Sequence, residues 1–313
     1  MHKTLDICVL KAYNTPCSPE LREKTKKYIR KTLKNTAKRR NNFMKKFITL
    51  MLTVALALTM CMSFAACNGN NNSGKEKLIV YTEAGFAPWE FKQKGSLDVV
   101  GVDMEIAKYI ANKYNYELEI IDGNFDTIVA GISEDNALGI AGISYDEKRA
   151  QAVEFSKFYW GSAYQAVVYL KSAEPTLVDG TFAVSNFNGK GVTYQTGTTS
   201  QITVSEKESE WGIASKTDFA QVMAALQEVK TAGGNKYLIV DSQVAAQLAA
   251  NDDTIAYAAI EGVEAEQYGI VAKKGNTDLI AKVNAALDEL LVKDADGKDQ
   301  IEKWFVQYSA VEE

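Results

Sequence analysis

From residue 77 onward, short apolar runs alternate with longer stretches in which apolar residues recur every three or four positions. The runs are rich in β-branched residues, which is typical of buried strands, whereas the longer stretches are typical of amphipathic helices. We predict strands at 77–81, 117–121, 138–142, 163–170, 191–194, 237–240 and 268–272. We predict helices at 102–114, 218–229, 243–250 and 279–291, with a further helix beginning at Asn124. Strands that alternate with helices indicate an α/β protein with a mostly parallel sheet.

The alternation runs through two rounds, one before and one after about residue 170. Roughly 240 residues are enough for one large domain or two modest ones. No proline-rich stretch separates the two rounds, so a flexible tether between them is not indicated. The pattern predicts two lobes that are joined by strands.

The first 76 residues have a different pattern. Residues 1–43 are basic and polar and show no sustained apolar period, so we interpret them as an extension upstream of a true start at Met44. Two lysines, an apolar run and several small residues follow, which together predict a secretory signal peptide over residues 44–66. A membrane-spanning helix is the alternative, because about 20 apolar residues can cross a bilayer.

The position of Cys67 favours the signal peptide. The residues Phe64-Ala65-Ala66-Cys67 resemble the lipobox of bacterial lipoproteins, with Phe where Leu is usual. The resemblance implies that the Cys67 thiol is acylated and anchors the chain to a membrane. The polar, glycine- and asparagine-rich residues that follow predict a flexible tether over the rest of 67–76.

Composition excludes several kinds of chemistry from the chain beyond Cys67. That part has no further cysteine and no histidine, so it cannot form a disulfide, a Ser-His-Asp triad or a Cys-His pair. We expect no cofactor and no metal. Residues 68–313 hold 21 Lys and Arg against 37 Asp and Glu, a net charge of about −16, which disfavours nucleic acid as a partner.

One guanidinium stands out in this lysine-rich chain, because Arg149 is the only arginine of residues 68–313. Its planar set of five donors suits a carboxylate better than an ammonium group does. Just before it, the small residues Ala141 and Gly142 allow a ligand to approach the backbone, and Ser144 adds a hydroxyl and an N–H. The segment 141–156 therefore predicts an anion site. The alternative is an arginine that pairs with an acidic neighbour on a helix surface, Glu147 or Glu154.

Two further features can hold charged groups of a ligand. The turn 195–200 is made of small hydroxyl residues and leads into a helix, whose free N–H groups and positive dipole end attract a carboxylate. Asp241 follows a buried strand and suits an ammonium group. Both features are also ordinary helix caps, and that alternative stays open. The aromatic residues Phe86, Trp89 and Phe125 either stack on a ligand or belong to the core.

Together these segments resemble family 3 of the bacterial extracellular solute-binding proteins, the polar amino-acid receptors of ABC importers. Similar segments occur in order from about Lys77 to Phe305. They are 78–91, 101–107, 141–156, 195–199, 240–242, 267–270, 274–276 and 303–305. The turns at 136–137 and 235–236 lack the aspartate that is common there, and 231–235 looks slightly expanded.

The resemblance implies a type II periplasmic-binding-protein fold with two strand crossovers. Lobe 1 is then 77–170 plus 268–313, and lobe 2 is 171–267. The α-carboxylate of an amino acid would be held by Arg149 and Ser144 with the Thr198-Thr199 turn. Its α-ammonium would be held by Asp241 with the backbone of Gly142.

The same resemblance assigns the remaining positions to the side chain of the amino acid. Phe86 and Phe125 would sandwich it, and Glu83 and Gln195 would select its polar end. A carboxylate at Glu83 favours a cationic or amide side chain, although the sequence does not identify the amino acid.

The resemblance predicts a monomeric lipoprotein on the outer face of the bacterial cell membrane. It would deliver a free polar amino acid to a permease that works with a cytoplasmic ATPase, and it would not be an enzyme. Two alternatives remain open on the same scaffold. One is an enzyme similar to cyclohexadienyl dehydratases, with Glu83 as general acid. The other is a sensor that binds its ligand for signalling.

Overall fold

The computed structural model describes residues 74–233 and 235–311, together with Glu23, Lys27 and Lys31, which are helical and exposed. The predicted signal peptide, Cys67 and most of the predicted tether lie outside the described residues. The chain from Gly74 onward forms one compact unit. Within its described residues, no helix is both long enough and apolar enough to cross a membrane.

Strands and helices alternate along this unit, as the hydrophobic pattern predicts. Its strands are β1 (Lys77–Thr82), β2 (Gly85–Phe86), β3 (Glu90–Lys92), β4 (Val99–Val100), β5 (Glu117–Asp122), β6 (Ala137–Gly139), β7 (Val153–Leu170), β8 (Leu177–Val178), β9 (Thr181–Phe182), β10 (Gly191–Gln195), β11 (Ser215–Phe219), β12 (Lys236–Asp241), β13 (Ile255–Ala259) and β14 (Ala265–Lys273). Its α-helices are α1 (Val102–Lys113), α2 (Phe125–Gly131), α3 (Glu147–Ala152), α4 (Thr199–Trp211), α5 (Val222–Thr231), α6 (Ser242–Asn251), α7 (Thr277–Leu290) and α8 (Gln300–Tyr308).

One large sheet runs through both halves of the unit, in the strand order β11-β10-β12-β7-β14-β6-β1-β5. Pairing is parallel within each half: β1 pairs with β5 and β6, and β10 pairs with β11 and β12. The strands β7 and β14 lie between the halves and pair antiparallel with each other and with their neighbours. The sheet is therefore parallel within each half, and its two antiparallel central strands connect them.

Strand β12 in the second half is apolar over most of its length because it is covered on both faces. Successive side chains of a strand point to opposite faces of a sheet. In β12, Tyr237 and Ile239 enter one hydrophobic cluster, whereas Leu238 and Val240 enter the cluster on the opposite face. A strand covered on both faces buries every side chain, which produces a continuous apolar run.

The structure differs from the predicted elements at several places. The stretch 218–229 was predicted as one helix, but Phe219 ends the strand β11 and the helix begins only at Val222. Strand β11 pairs with β10 alone and is largely polar, so its periodicity does not distinguish it from a helix start. Strand β7 begins ten residues earlier than predicted, at Val153. Strand β13 and helix α8 were not predicted.

Candidate functional site

A cleft lies where segments of the two halves meet. It is bordered by the carboxyl ends of β10 and β12 and by the segment between β6 and α3, which is where open α/β sheets bind ligands. Its lining residues are Phe86, Phe125, Gly142, Ser144, Arg149, Gln165, Gln195, Thr198, Thr199, Ser200, Ile239, Val240, Asp241, Glu266 and Tyr268.

Arg149 is held in the cleft by the short helix α3. The side chain of Asp146 caps this helix by accepting hydrogen bonds from the N–H groups of Lys148 and Arg149. Only 9% of Arg149 is exposed, and its guanidinium donates to the carbonyls of Ser144 at 2.8 Å and Gly197 at 2.7 Å. Burial lowers the pKa of this guanidinium. Within the part of the chain that the structure describes, no carboxylate is close enough to form an ion pair with it; carbonyls are its hydrogen-bond partners, and the charges of Asp146 and Glu266 raise its pKa from a greater distance.

The surface pairing offered as the alternative for Arg149 does not occur. Glu154 pairs with Lys274 at 3.4 Å instead. The guanidinium carbon lies 5.5 Å from the ring centroid of Phe125, so one face of the cation rests on an aromatic ring. A buried guanidinium without a carboxylate partner is a suitable receptor for a carboxylate group.

Asp241 combines the two roles that its position suggests. Its Oδ1 accepts a hydrogen bond from the N–H of Gln243 at 2.8 Å and so caps α6. Its Oδ2 is buried and has no well-formed hydrogen bond among the described residues, although the nearby hydroxyl of Tyr268, which has none either, lowers the pKa of Asp241. Burial raises the pKa of Asp241 to about 7. A buried acceptor without a donor is costly, so Oδ2 is suited to the ammonium group of a ligand.

Gly142 lies at a point of the cleft where a residue with a side chain would not fit. Its φ of 50° is in the left-handed region, and an added Cβ would lie 3.0 Å from the ring of Phe86. Its N–H donates to Asp103 Oδ2 at 2.8 Å, and Asp103 also accepts from the hydroxyl of Tyr159 at 2.9 Å. This buried contact fixes the backbone that carries Gly142 toward Ser144.

The 195–200 turn brings the second half against the first. Gly197 has a φ of 79°, and an added Cβ would lie 2.8 Å from the Cα of Asp126 in α2. The side chain of Thr198 caps α4 by accepting from the N–H of Gln201. Thr199 begins the helix, so its own N–H has no partner within the helix. The turn is therefore a helix cap that also faces the cleft.

Several predicted residues do not line the cleft. Trp89 is fully buried and packs on Tyr159, Trp160, Tyr268 and Phe305. Its predicted contact with a ligand is wrong, because the indole ring belongs to the core. Ala141 is buried in the cluster around Phe125 and lies behind the lining residues.

Glu83 also lies outside the cleft. It borders a different cavity together with Phe91, Lys92 and Met223. An added Cβ on Gly85 would lie 3.0 Å from Glu83 Oε1, so this side chain folds against its own loop. The structure therefore does not place Glu83 where a side-chain selector or a general acid of this cleft would be.

Two residues that the sequence reasoning missed, Gln165 and Glu266, lie in the cleft on the central strands β7 and β14. Glu266 Oε2 accepts hydrogen bonds from the hydroxyls of Ser144, at a short distance, and Thr199, at 2.9 Å. Its Oε1 accepts from Gln165 Nε2 at 2.7 Å. The available signal was a polar residue, Gln165, inside the otherwise apolar run 163–170, since a polar group that is only 2% exposed requires partners.

The described residues also limit what else the site can hold. Within residues 74–233 and 235–311, no group of three His, Cys, Asp or Glu side chains is placed to hold a metal ion. The cleft instead offers one guanidinium, two carboxylates, several hydroxyls and two phenylalanine rings. This set suits a small organic molecule that carries both signs of charge.

Comparison with known proteins shows what this chain is similar to. The family model for bacterial extracellular solute-binding proteins, family 3, matches residues 78–307. The arginine-binding extracellular protein ArtP of Bacillus subtilis is 30% identical over 251 residues, which are 79% of this chain and 93% of ArtP. The L-cystine-binding protein TcyJ of Escherichia coli is 26% identical over 259 residues, which are 82% of this chain and 93% of TcyJ.

Solved structures share the fold. An ancestral arginine-binding protein bound to arginine is 30% identical, with a TM-score of 0.64 over 75% of this chain and 99% of that chain. Neighbours of this kind have the two-lobed type II periplasmic-binding-protein fold. The predicted fold class is therefore confirmed. By its sequence over residues 78–307 and by its structure, the chain belongs to the bacterial extracellular solute-binding proteins, family 3.

Proposed function

We propose that this protein is the extracytoplasmic substrate-binding component of an amino-acid ABC importer and that its ligand is a cationic L-amino acid. The observation that carries the proposal is the pair of incompletely matched charges in one cleft. Among the described residues, Arg149 is buried with only carbonyls as hydrogen-bond partners, and Asp241 Oδ2 is buried without a well-formed hydrogen bond and without a cation. An α-amino acid supplies one carboxylate and one ammonium group, which satisfy both.

The site residues follow from this arrangement. Arg149 holds the α-carboxylate, assisted by the N–H groups of Ser144 and Thr199. Asp241 holds the α-ammonium together with the carbonyl of Gly142, and Phe86 and Phe125 enclose the side chain. All of these residues line the cleft. Gln195 is fixed from behind by the carbonyl of Ala220 at 3.0 Å and is left as the polar contact for the side chain.

The charges of the cleft favour a cationic ligand. The charged lining residues are Arg149 against Asp241 and Glu266. An amino acid with an uncharged side chain adds no net charge and leaves one carboxylate without a cation. A guanidinium or ammonium on the side chain balances it, and a buried charge is tolerated only when it is paired. ArtP and the ancestral arginine-binding protein are named for arginine, which agrees with this charge balance.

Binding is coupled to closure of the two lobes. The residues proposed to hold the α-carboxylate of the ligand lie on both sides of the cleft. Arg149 and Ser144 lie on one side, and Thr199 lies on the other. A ligand that binds both sides has a higher affinity for the closed form and shifts the population toward it. The lobes are proposed as 77–170 plus 268–313 and 171–267. The closed protein then docks on a permease, and acylated Cys67 keeps it at the outer face of the membrane as a monomer.

A thermal-shift screen of residues 68–313 against the twenty amino acids tests the proposal. The protein is unfolded and refolded first, to remove any ligand that copurifies. A ligand at about 100 times its Kd adds about 2.7 kcal/mol to the free energy of unfolding, which raises Tm by roughly 5 to 10 °C for a chain of this size. We expect arginine, lysine or histidine to give the largest shift. A screen in which no amino acid raises Tm contradicts the proposal.

A further inference from the structure

The carboxylate of Glu266 accepts hydrogen bonds from two residues that were predicted to bind the ligand carboxylate, Ser144 and Thr199. Its Oε2 accepts from the hydroxyls of Ser144 and Thr199, and its Oε1 accepts from Gln165. A hydroxyl group has a single hydrogen to donate. While Ser144 and Thr199 donate to Glu266, neither hydroxyl can also donate to the carboxylate of an amino acid.

These contacts cross the cleft. Ser144 follows β6 in the first half, Thr199 begins α4 in the second, and Glu266 lies on β14 between them. The contact to Gln165 extends the network, because Gln165 Nε2 also donates to Thr199 Oγ1 at 3.1 Å and Gln165 Oε1 accepts from Ser200 at 2.6 Å. One carboxylate on a central strand therefore connects a hydroxyl from each half.

The backbone leaves a separate set of donors for a ligand. Ser144 pairs with Tyr268 as an isolated antiparallel bridge. The hydrogen bonds that flank this bridge run from Tyr145 N to Gln267 O at 2.8 Å and from Gly269 N to Ile143 O at 2.9 Å. The N–H of Ser144 is therefore not used in the bridge. Together with the first N–H of α4 and the guanidinium of Arg149, it can receive a carboxylate without disturbing Glu266.

We propose that Glu266 is a positioning residue that binds the hydroxyls of Ser144 and Thr199 across the cleft, both without ligand and with it. The ligand carboxylate is then held by Arg149 and backbone N–H groups, and the two hydroxyls hold the lobes together through Glu266. This inference rests on the proposed function for the identity of the ligand. The contacts of Glu266 themselves do not depend on it.

A double-mutant cycle between Glu266 and Ser144 tests the inference first without ligand. The proteins are wild type, Glu266→Gln, Ser144→Ala and the double variant. Glu264→Gln is the matched control, because Glu264 is exposed and its replacement removes the same charge two residues earlier. We expect Ser144→Ala to lower Tm by roughly 3 to 10 °C, since a hydrogen bond to a charged group is lost. In the Glu266→Gln background the same change should lower Tm by less than half as much. Equal losses in both backgrounds overturn the inference.

The second stage measures the Kd of L-arginine by calorimetry for the same proteins. If the hydroxyl serves Glu266, its loss frees the backbone of Ser144 whose N–H holds the ligand carboxylate, so Ser144→Ala weakens binding about tenfold in the wild-type background. In the Glu266→Gln background the same change weakens binding less than threefold, because hydroxyl and carboxylate act as one unit. If the hydroxyl donates to the ligand, Ser144→Ala weakens binding equally in both backgrounds, and the inference is overturned. A cycle on Thr199, with Thr199→Val, should give the same result.

The two stages separate failure of the inference from failure of the proposed function. Coupling in Tm without any binding of L-arginine by wild type retains the role of Glu266 and removes the choice of ligand. Binding without coupling in either stage retains the ligand and removes the role of Glu266.

Discussion

The pH dependence of ligand binding is the sharpest consequence of the cleft geometry. Burial raises the pKa of Asp241 to about 7, so about half of the ligand-free molecules carry a neutral Asp241 at pH 7. A ligand ammonium group requires the ionised form, and binding must therefore release the proton. Because the proton and the ligand compete for the same group, affinity falls as pH falls through this pKa.

The magnitude follows from that pKa. The ionised fraction of Asp241 falls from about nine tenths at pH 8 to about one tenth at pH 6. We therefore expect the Kd of L-arginine to rise about tenfold between pH 8 and pH 6, which corresponds to about 1.4 kcal/mol. Titration calorimetry at pH 7 in two buffers with different ionisation enthalpies should detect release of about half a proton per ligand bound.

The groups that face Asp241 must be considered as alternative sources of such a slope. Burial and neighbouring carboxylates, Asp241 among them, raise the pKa of Glu90, whereas burial raises the pKa of Tyr268 above its usual range, so that its hydroxyl does not titrate between pH 6 and pH 8. Burial raises the pKa of Asp103, behind Gly142, to about 6. Residues 68–313 contain no histidine, so no imidazole titrates in this interval.

Two variants separate these sources. Asp241→Asn should bind L-arginine more weakly and with a Kd that is nearly constant between pH 7 and pH 8. Asp103→Asn should keep the slope of wild type over that interval, because its own titration is centred lower. A flat profile in wild type, or a slope that survives in Asp241→Asn, would refute the assignment of the ammonium group to Asp241.

Three further predictions concern other residues. Arg149→Lys should weaken binding of L-arginine by roughly 10- to 100-fold in calorimetry, because a single ammonium group cannot bond to both carbonyls and also bind both oxygens of a carboxylate. An unchanged Kd would contradict the assignment of the ligand carboxylate to Arg149. Trp89→Ala should lower the free energy of unfolding by about 3 to 5 kcal/mol in urea titrations, while the folded protein keeps its Kd for L-arginine. A loss of affinity without a loss of stability would show that Trp89 contacts the ligand. Cys67→Ser should move the protein from the membrane fraction to the medium or periplasm, and retention in the membrane would exclude a lipid anchor at Cys67.

The sequence predicted the fold well where periodicity is strong. The apolar run that became β12 and the helix that became α7 were placed within two residues of their ends. The edge strand β11 was not predicted, and its last two residues, 218–219, were assigned to a helix, because its side chains are mostly polar and it pairs with one neighbour only. A partner in space, and not the local pattern, makes this segment a strand.

Only part of the candidate site could be predicted, because the rest also depends on contacts between segments that are distant in the sequence. Arg149 and Asp241 stand out in the sequence by rarity and by position after a strand, and both line the cleft. Glu266 does not stand out among the many acidic residues, and only the pairing of β14 with β6 and the segment after it brings Glu266 to Ser144. Trp89 was predicted to contact a ligand because it is an aromatic residue, but its ring packs in the hydrophobic core. Sequence spacing does not distinguish an aromatic residue that faces a cleft from one that lies behind it.

A crystal structure of the refolded protein with L-arginine tests the central claim most directly, because it locates both charged ends of the ligand. We predict that its α-carboxylate lies within hydrogen-bond distance of the guanidinium of Arg149 and the N–H of Ser144, and its α-ammonium at Asp241 Oδ2. A ligand bound outside this cleft, or one bound with its α-carboxylate away from Arg149, would contradict the account.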